Sequence, residues 1–357
     1  EIPLPNSATL SYEYDAAQRL VAIEDGLGNR MEYTLDLAGN RTAEKAYDPD
    51  GVLRRSQTRV YDNLSRLKQV LGNAGQLTEY GYDAEGNQTS VTEAGLYTTL
   101  SEFDALNRLF KVTDADNGIT TYEYDQYQNL HKVIDPEGLT TIYTYNALGD
   151  LIQLESPDTG ITIYSYDAAG NRTGQTDARG VSVVYAYDAL NRLTGIDYPQ
   201  PAGSVDEDVT YFYDGSNYAG TAHQGSTNGI GRLTGVSNTH QQSLHVYDTR
   251  GNLTIHEYTI LGTAYTQSYT YDTADNLTSV TYPSGRTVHH ALDSQGRIND
   301  IVMAEGSVVR PIASIPSYFP FGPLTRLDHA NGIGEDRLYD LDGRITDVTN
   351  YGVALRL

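Results

Sequence analysis

The stretch YSYDAAGNRT, residues 164–173, decides the fold because the chain writes it repeatedly. YTYNALGDLI begins 21 residues earlier, at Tyr143, and YAYDALNRLT begins 21 residues later, at Tyr185. The residue after the tyrosine pair marks the register, with steps of 21, 26 and then six of 21. These markers are Asp15, Asp36, Asp62, Asp83, Asp104, Asp125, Asn146, Asp167 and Asp188. Self-similarity at a fixed period is the signature of a repeat architecture.

Each copy follows the pattern Y-x-Y-D-x-x-G-N-x-L/T. Tyrosines two apart share one face of a strand, the aspartate can close an Asx-turn, and Gly-Asn accepts a left-handed conformation. Stacked copies are expected to place tyrosine beside tyrosine, with the hydroxyls near water. We predict structural repeat roles for Tyr12, Tyr14, Asp15, Tyr122, Tyr124, Asp125, Tyr143, Tyr145, Tyr164, Tyr166, Asp167, Gly170, Asn171, Tyr185, Tyr187, Asp188, Tyr269, Tyr271 and Asp272.

A second turn lies about half a period after the first, as in DPEG at 135–138 and PDTG at 157–160. One repeat is therefore two strands of roughly 6 residues and two turns. This predicts an all-β fold of repeated antiparallel β-hairpins, about 21 residues each, in a continuous ribbon. Because flat sheets of many strands are rare, the ribbon is expected to spiral.

One spacing does not fit an ideal strand. Leu130 and Val133 are three residues apart, as are Leu109 and Val112, and would point to opposite faces. Either a β-bulge intervenes or the sheet is covered on both faces. The sequence leaves both alternatives open.

Composition limits the classes of partner and chemistry. The 357 residues include 30 Tyr, 5 Phe, no Trp and no Cys, with a formal net charge of −23. Nucleic acid and anionic lipid need a basic footprint, so neither is an expected partner. The absence of cysteine removes disulfides, thiolate catalysis and cysteine-based zinc sites. No apolar run approaches the ~20 residues of a transmembrane segment.

The whole chain, residues 1–357, is predicted to be a single repeat array. Residues 1–198 carry regular repeats, 199–237 an irregular loop-rich insertion, 238–310 further repeats, and 311–357 a Pro-rich crossing and a terminal repeat. With four prolines, residues 311–323 are expected to cross or plug the sheet rather than form an interior strand. The chain starts without signal-peptide features and ends on an apolar run, so we expect a fragment of a larger protein.

The runs YEYDAAQRL, YEYDQYQNL, YSYDAAGNRT, YAYDALNRL and YTYDTADNL resemble the YD repeats of Rhs proteins. Such repeats also occur in shell components of insecticidal Tc toxins and in teneurins. The resemblance implies a hollow β-shell, of which this chain would be an arc or wall.

In bacterial members the resemblance implies that the shell encloses a C-terminal toxic polypeptide. The expected function is therefore a structural YD/Rhs shell segment that encapsulates a toxin or effector of a bacterial polymorphic toxin. The expected partners are that polypeptide or neighbouring shell segments, and the expected location is secreted or on the bacterial cell surface. The alternative is an exported surface or filamentous YD-repeat protein for adhesion or carbohydrate binding.

Several motifs suggest sites but have a simpler interpretation. Residues 135–139 (DPEGL) resemble the self-cleavage signature of Rhs cores, yet they keep the phase of the second turn. His289 and His290 are adjacent on a predicted strand and would point to opposite faces, which disfavours a shared metal ion. We predict no catalytic, cofactor-binding or metal site and no enzyme activity, while weak calcium binding at the aspartate turns stays open.

Overall fold

The computed structural model describes residues 2–3, 9–94, 96–199, 208–215 and 228–352. Within these ranges the regular elements are β-strands joined by turns, without an α-helix, so the predicted all-β repeat fold is confirmed. The described part of the chain has no helix with the length and apolarity needed to cross a membrane.

The strands follow one another at short intervals along the chain. They are β1 (Ile2–Pro3), β2 (Thr9–Tyr14), β3 (Leu20–Asp25), β4 (Arg30–Leu35), β5 (Arg41–Tyr47), β6 (Leu53–Tyr61), β7 (Leu67–Leu71), β8 (Leu77–Tyr82), β9 (Gln88–Glu93), β10 (Tyr97–Phe103), β11 (Leu109–Thr113), β12 (Ile119–Tyr124), β13 (Leu130–Ile134), β14 (Thr140–Tyr145), β15 (Leu151–Ser156), β16 (Gly160–Tyr166), β17 (Arg172–Thr176), β18 (Ser182–Tyr187), β19 (Leu193–Asp197), β20 (Val209–Tyr213), β21 (Leu233–Ser237), β22 (Gln241–Tyr247), β23 (Leu253–Ile260), β24 (Thr263–Tyr271), β25 (Leu277–Thr281), β26 (Thr287–Leu292), β27 (Ile298–Glu305), β28 (Val308–Tyr318), β29 (Leu324–His329), β30 (Ile333–Tyr339) and β31 (Ile345–Gly352).

The chain divides into two compact units. The terminal unit comprises Glu1–Thr99 and Tyr269–Leu357, and the central unit comprises Leu100–Ser268. Within the terminal unit, strands β1 to β9 and β25 to β31 pair antiparallel with their neighbours along the chain. Strands β10 to β24 do the same within the central unit. Each unit is thus built from consecutive hairpins.

The predicted loop-rich insertion, residues 199–237, contains regular structure. Strands β20 and β21 lie inside it and pair antiparallel like the other hairpins. Residues 200–207 and 216–227 of this segment lie outside the described residues.

The hairpins enclose little dry core. In the described part of the chain, the buried apolar side chains are mostly small or scattered: Ala22, Met31, Ala46, Leu244, Ala313, Ile315 and Phe319. Most strand residues are half-buried, because a single layer of sheet leaves each face partly open to solvent. Contacts between neighbouring strands must therefore supply most of the stability.

Two kinds of turn alternate along each unit. We call the turn that begins at the residue after the tyrosine pair the YD turn, and the turn that leads into the next tyrosine strand the second turn. A β-bulge follows every YD turn whose strand pairing the structure describes. In the β12–β13 pair, Tyr124 faces Leu130 and Glu123 faces Lys132, so His131 is the extra residue.

This bulge answers the question that the sequence left open. Because Tyr122 faces Val133 and Tyr124 faces Leu130, the bulge brings the leucine and the valine to the tyrosine face. The three-residue spacing therefore reflects a bulge, and it does not require a second layer over the sheet.

The Pro-rich stretch departs from the prediction. Strand β28 pairs with β27 on one side and with β29 on the other, so the expectation that residues 311–323 could not form an interior strand was wrong for this part. Pro311 lies at a register shift opposite Val302, and Pro316 lies in the gap between the paired Ser314 and Ser317. These irregularities remove the ladder hydrogen bonds that proline is unable to donate.

Distant parts of the sequence meet in the terminal unit. The backbone N–H of Ser56 donates to the Leu341 carbonyl at 2.8 Å, and that of Asn73 donates to Asp342 Oδ1 at 2.8 Å, across 269 residues. Two windings of the ribbon therefore lie side by side in this unit, as a spiral requires.

Candidate functional site: the repeated YD turn

The YD turn of the quoted stretch is a three-residue loop closed by an aspartate. The Asp167 N–H donates to the Asn171 carbonyl at 2.9 Å, and the Gly170 N–H donates to the Asp167 carbonyl at 3.1 Å. Gly170 has φ 85°, which completes the type I turn plus left-handed residue that is typical of hairpins with a bulge.

The aspartate side chain completes the loop. Asp167 Oδ1 accepts hydrogen bonds from the N–H groups of Ala169 and Asn171, each at 2.9 Å, and its Oδ2 accepts one from Asn171 Nδ2 at 2.9 Å. The Asn171 side chain, followed by these N–H groups, holds the pKa of the Asp167 carboxyl below its usual value. Asp125 and Asp272 accept the same three bonds, and Asp15 and Asp188 accept the two backbone bonds together with one from the Nε of Arg19 or Arg192.

One turn exchanges the acid and the amide. Asn146 Oδ1 accepts from the N–H groups of Leu148 and Asp150, and Asn146 Nδ2 donates to Asp150 Oδ2 at 2.8 Å. Where an amide is used, the turn thus pairs one carboxylate with one amide, in either order. This explains why asparagine can take the marker position in that repeat.

Of the Gly-Asn pair predicted to accept a left-handed conformation, only the glycine adopts it. Gly170 has a positive φ, whereas Asn171 is not among the described residues with positive φ, so the prediction for Asn171 was wrong. Gln18, Gln128 and Asn191 take the left-handed position in other repeats. A single such residue is sufficient for the bulge, and Asn171 instead serves as a donor to the aspartate.

Arginine can take the place of that asparagine and then reaches the next repeat. Arg108 Nε donates to Asp104 Oδ2 at 2.8 Å, and its guanidinium carbon lies 4.4 Å from the centroid of the Tyr124 ring. Arg66 and Arg297 likewise lie over Tyr82 and Tyr318. This link between repeats was not predicted from the sequence. The constant four-residue step from the aspartate was the signal available in the sequence.

Arg192 makes the most extensive link. It donates to Asp188 Oδ2 at 2.7 Å and to both carboxylate oxygens of Asp214, the first residue of the next YD turn, at 3.0 and 2.6 Å. Its guanidinium also lies 4.4 Å from the Tyr213 ring centroid. The Arg192 hydrogen bond, followed by that of Gly231, lowers the pKa of Asp214 to about 2.

The second tyrosine of the pair binds the preceding repeat through its hydroxyl. Tyr124 donates to the Leu109 carbonyl at 2.8 Å, Tyr166 to that of Leu151 at 2.8 Å, and Tyr187 to that of Arg172 at 3.0 Å. The same kind of bond is made by Tyr82, Tyr213, Tyr247 and Tyr339. The acceptor is the first residue of the strand that follows the previous YD turn, beside its bulge.

Each of these hydroxyls donates to a backbone carbonyl, a role that was not predicted from the sequence. Burial raises the pKa of the Tyr166 phenol. A composition rich in tyrosine and poor in phenylalanine was the signal in the sequence, because only tyrosine has this donor.

The first tyrosines are half-buried and face aliphatic side chains across the hairpin. Tyr143 faces Leu154, and Tyr185 faces Ile196. Tyr12, Tyr122, Tyr164, Tyr269 and Tyr271 are also half-buried, as is Tyr145, whereas Tyr14 is exposed. Tyrosine pairs of successive repeats are two strands apart with an aliphatic strand between them, so the expected placement of tyrosine beside tyrosine was wrong.

Other motifs take ordinary geometry. In residues 135–139, the Asp135 N–H donates to the Leu139 carbonyl at 3.0 Å, and Gly138 has φ 81°, as in neighbouring turns. No group of three or more His, Cys, Asp or Glu suited to a metal ion occurs among the described residues. A cavity of about 240 Å³ in the terminal unit is lined by the Glu44–Arg55 ion pair, Gln76 and Asp342.

The repeats match two known family models. The Teneurin YD-shell family model matches residues 50–215, and the RHS Repeat model matches residues 247–287 and 271–308. No curated protein matches the chain.

Solved structures match over nearly the whole chain. The crystal structure of TcdB2-TccC3-TEV aligns with 97% of this chain at 16% identity and a TM-score of 0.75. The Photorhabdus luminescens Tc holotoxin pore aligns with 97% at 17% identity and a TM-score of 0.75. The chain spans 20% of the length of each of these solved chains, and at this identity the likeness shows the fold. The repeated YD turn and the two family matches together make this chain a member of the YD/Rhs-repeat family.

Proposed function

We propose that the chain is a wall segment of a YD/Rhs shell that encapsulates a toxin or effector polypeptide of a bacterial Rhs-type toxin. The observation that carries the proposal is the match of this hairpin ribbon to the TcdB2-TccC3 structures along 97% of its length. The partner is then the enclosed polypeptide, and the location is outside the producing cell or on its surface.

The locks between repeats suit a wall. A shell has to stay closed without a thick core, and the described residues bury few large side chains. Stability comes instead from links that recur in many of the repeats, such as Asp104–Arg108–Tyr124 and the Tyr124 hydroxyl on Leu109. In a repeat array, such neighbour terms add along the chain. The repeats need no catalytic group for this role, and we propose that the segment is not an enzyme.

Protease protection in the full-length gene product tests the proposal. The purified protein is treated with proteinase K under native conditions, and the fragments are identified by mass spectrometry. We expect a polypeptide downstream of the repeats that exchanges its amide hydrogens as an unfolded chain and yet resists cleavage. A downstream polypeptide that is cleaved as fast as the same segment expressed alone would refute encapsulation.

Adhesion or carbohydrate binding remains the alternative prediction. A cavity of about 500 Å³ in the terminal unit combines Tyr318 and Tyr339 with Asp48 and Arg54. However, Arg297 covers a face of the Tyr318 ring at 4.4 Å, which leaves less of that ring for stacking on a sugar. A glycan array with the purified chain tests this role, and saturable binding that is lost in Tyr339→Ala would favour it.

A further inference from the structure

In the terminal unit, the two windings contact each other through the same two kinds of turn position at two places. If a YD turn begins at residue n, we call residue n+2 its tip. If a second turn begins at residue n, we call residue n+1 its seat. The tip Asp342 accepts a hydrogen bond from the backbone N–H of the seat Asn73 at 2.8 Å. The tip Gln295 places its Nε2 3.3 Å from where a β-carbon on the seat Gly26 would lie. Tip meets seat in both places.

Four tips of the central unit are large, apolar and exposed, whereas the tip of the Asp248 turn is Arg250. Leu106, Tyr127, Leu148 and Leu190 occupy this position in four YD turns, with exposed fractions of 61%, 73%, 80% and 71%. Ala169 is the tip of the YD turn that begins at Asp167. Four large apolar side chains in equivalent positions along one edge form a row, in contrast to the scattered exposed apolar residues that are normal on protein surfaces.

The seats of the second turns between Asp104 and Asp188 are also apolar. Ala115, Pro136, Pro157 and Ala178 occupy them, and all four are exposed, whereas Thr239 takes the seat of the β21–β22 turn. In the terminal unit a polar tip, Asp342, meets a polar seat. The central unit thus offers apolar tips on one edge and apolar seats on the other edge of the same ribbon.

The spacing of the two rows is the same. Successive YD turns are two strands apart, as are successive second turns, and strands lie about 4.8 Å apart, so both rows repeat every ~10 Å. An edge that repeats every ~10 Å is matched along its whole length only by another edge with that period. A second ribbon of the same repeat has this period and also the complementary apolar surface.

We propose that the central unit docks edge to edge with a second copy of this chain, with the tips Leu106, Tyr127, Leu148 and Leu190 on the seats of the copy. Since the two edges differ, the contact is head-to-tail and can propagate from copy to copy. It does not depend on what the shell encloses, so it stands or fails separately from the encapsulation proposal.

Sedimentation velocity on the 357-residue chain tests the contact over roughly 1–100 μM, a range typical of interfaces of modest area. The tip variant combines Leu106→Glu, Leu148→Glu and Leu190→Glu, because Glu85 already occupies the tip in another YD turn. The seat variant combines Ala115→Glu, Pro136→Glu and Ala178→Glu. Burial of each apolar contact is worth about tenfold in affinity, so we expect each triple variant to weaken self-association at least ~100-fold.

Mixing the two variants distinguishes a head-to-tail contact from any other association. The tip variant keeps its seats and the seat variant keeps its tips, so together they should form a 1:1 complex that grows no further. The control combines Ile163→Glu and Val184→Glu, which place the same charge on exposed strand residues of this unit and should leave self-association unchanged. Circular dichroism checks that each variant retains its β-structure.

A wild-type chain that stays monomeric at the highest concentration would overturn the proposal. So would a tip variant that associates as strongly as wild type, as it would if the chain joined through edge strands. Failure of the mixed variants to form a complex would equally reject docking of tips on seats.

Discussion

Removing the hydroxyl from the second tyrosine of the pair should lower the local stability of the ribbon at the strand that carries its acceptor. The substitutions are Tyr124→Phe, Tyr166→Phe and Tyr187→Phe, each of which keeps the ring and removes a bond of 2.8–3.0 Å to the preceding repeat. A hydrogen bond of this kind contributes about 1 kcal/mol net, in a range of roughly 0.5–1.5. Three such sites at least two strands apart should add, for a loss of about 3 kcal/mol.

Hydrogen exchange measured by mass spectrometry resolves this loss along the chain. A local loss of about 1 kcal/mol in the free energy of opening speeds hydrogen exchange about fivefold, when opening and closing are fast compared with the exchange itself. We therefore expect about fivefold faster exchange in β11 for Tyr124→Phe, in β15 for Tyr166→Phe and in β17 for Tyr187→Phe. Strands β2 to β5 should keep their wild-type exchange rates, because none of the three deleted hydrogen bonds involves them.

The first tyrosines provide the matched control. In the described residues, Tyr122, Tyr164 and Tyr185 have no hydroxyl bond to the preceding repeat, and they differ from the test positions by only two residues. Their phenylalanine variants should exchange within about twofold of wild type, since surface and near-neutral changes fall within ±0.5 kcal/mol. Equal acceleration in both series would refute the assignment of a specific role to the second hydroxyl.

Three further results are expected. Asn146→Asp alone should lower the thermal midpoint, because it sets two carboxylates against each other, and the double variant Asn146→Asp/Asp150→Asn should restore it by recreating the order of Asp167 and Asn171; no recovery would contradict the exchange of acid and amide in this turn. Gly170→Ala should destabilise the chain by about 1 kcal/mol in chemical denaturation, since φ 85° strains a residue with a β-carbon, whereas Ala169→Gly nearby should have a smaller effect. On acidification, the turn carboxyls have folded pKa values below their unfolded values near 3.8, and that of Asp214 is about 2, so their contribution is fully present above about pH 4 and is lost as the pH falls towards 2. Circular dichroism against pH checks this, and a transition centred near pH 6 would point to histidines instead.

The hairpins and their period could be predicted because their determinants are local. Asp167 and Asn171 are four residues apart, and the tyrosine pair falls on one strand, so a single repeat contains the whole turn. The use of the tyrosine hydroxyl was missed because its acceptor, the Leu151 carbonyl for Tyr166, belongs to the preceding repeat.

Other features depend on pairings that no local pattern encodes. Strand β28 tolerates its prolines because its two neighbours supply register shifts at the right places. The contact of Asp342 with Asn73 joins residues 269 positions apart in the sequence. Neither follows from the composition of the segments concerned.

The tyrosine bond gives the ribbon an order of assembly. Each hydroxyl reaches back to a carbonyl that the chain has already passed, as Tyr187 does to Arg172, so the acceptor is in place when the donor emerges during synthesis. A hairpin leaving the ribosome can therefore be fixed at once on the repeat before it, without waiting for later sequence. The ribbon would grow from its N-terminal side one hairpin at a time, so each new strand edge is exposed only until the next hairpin pairs with it.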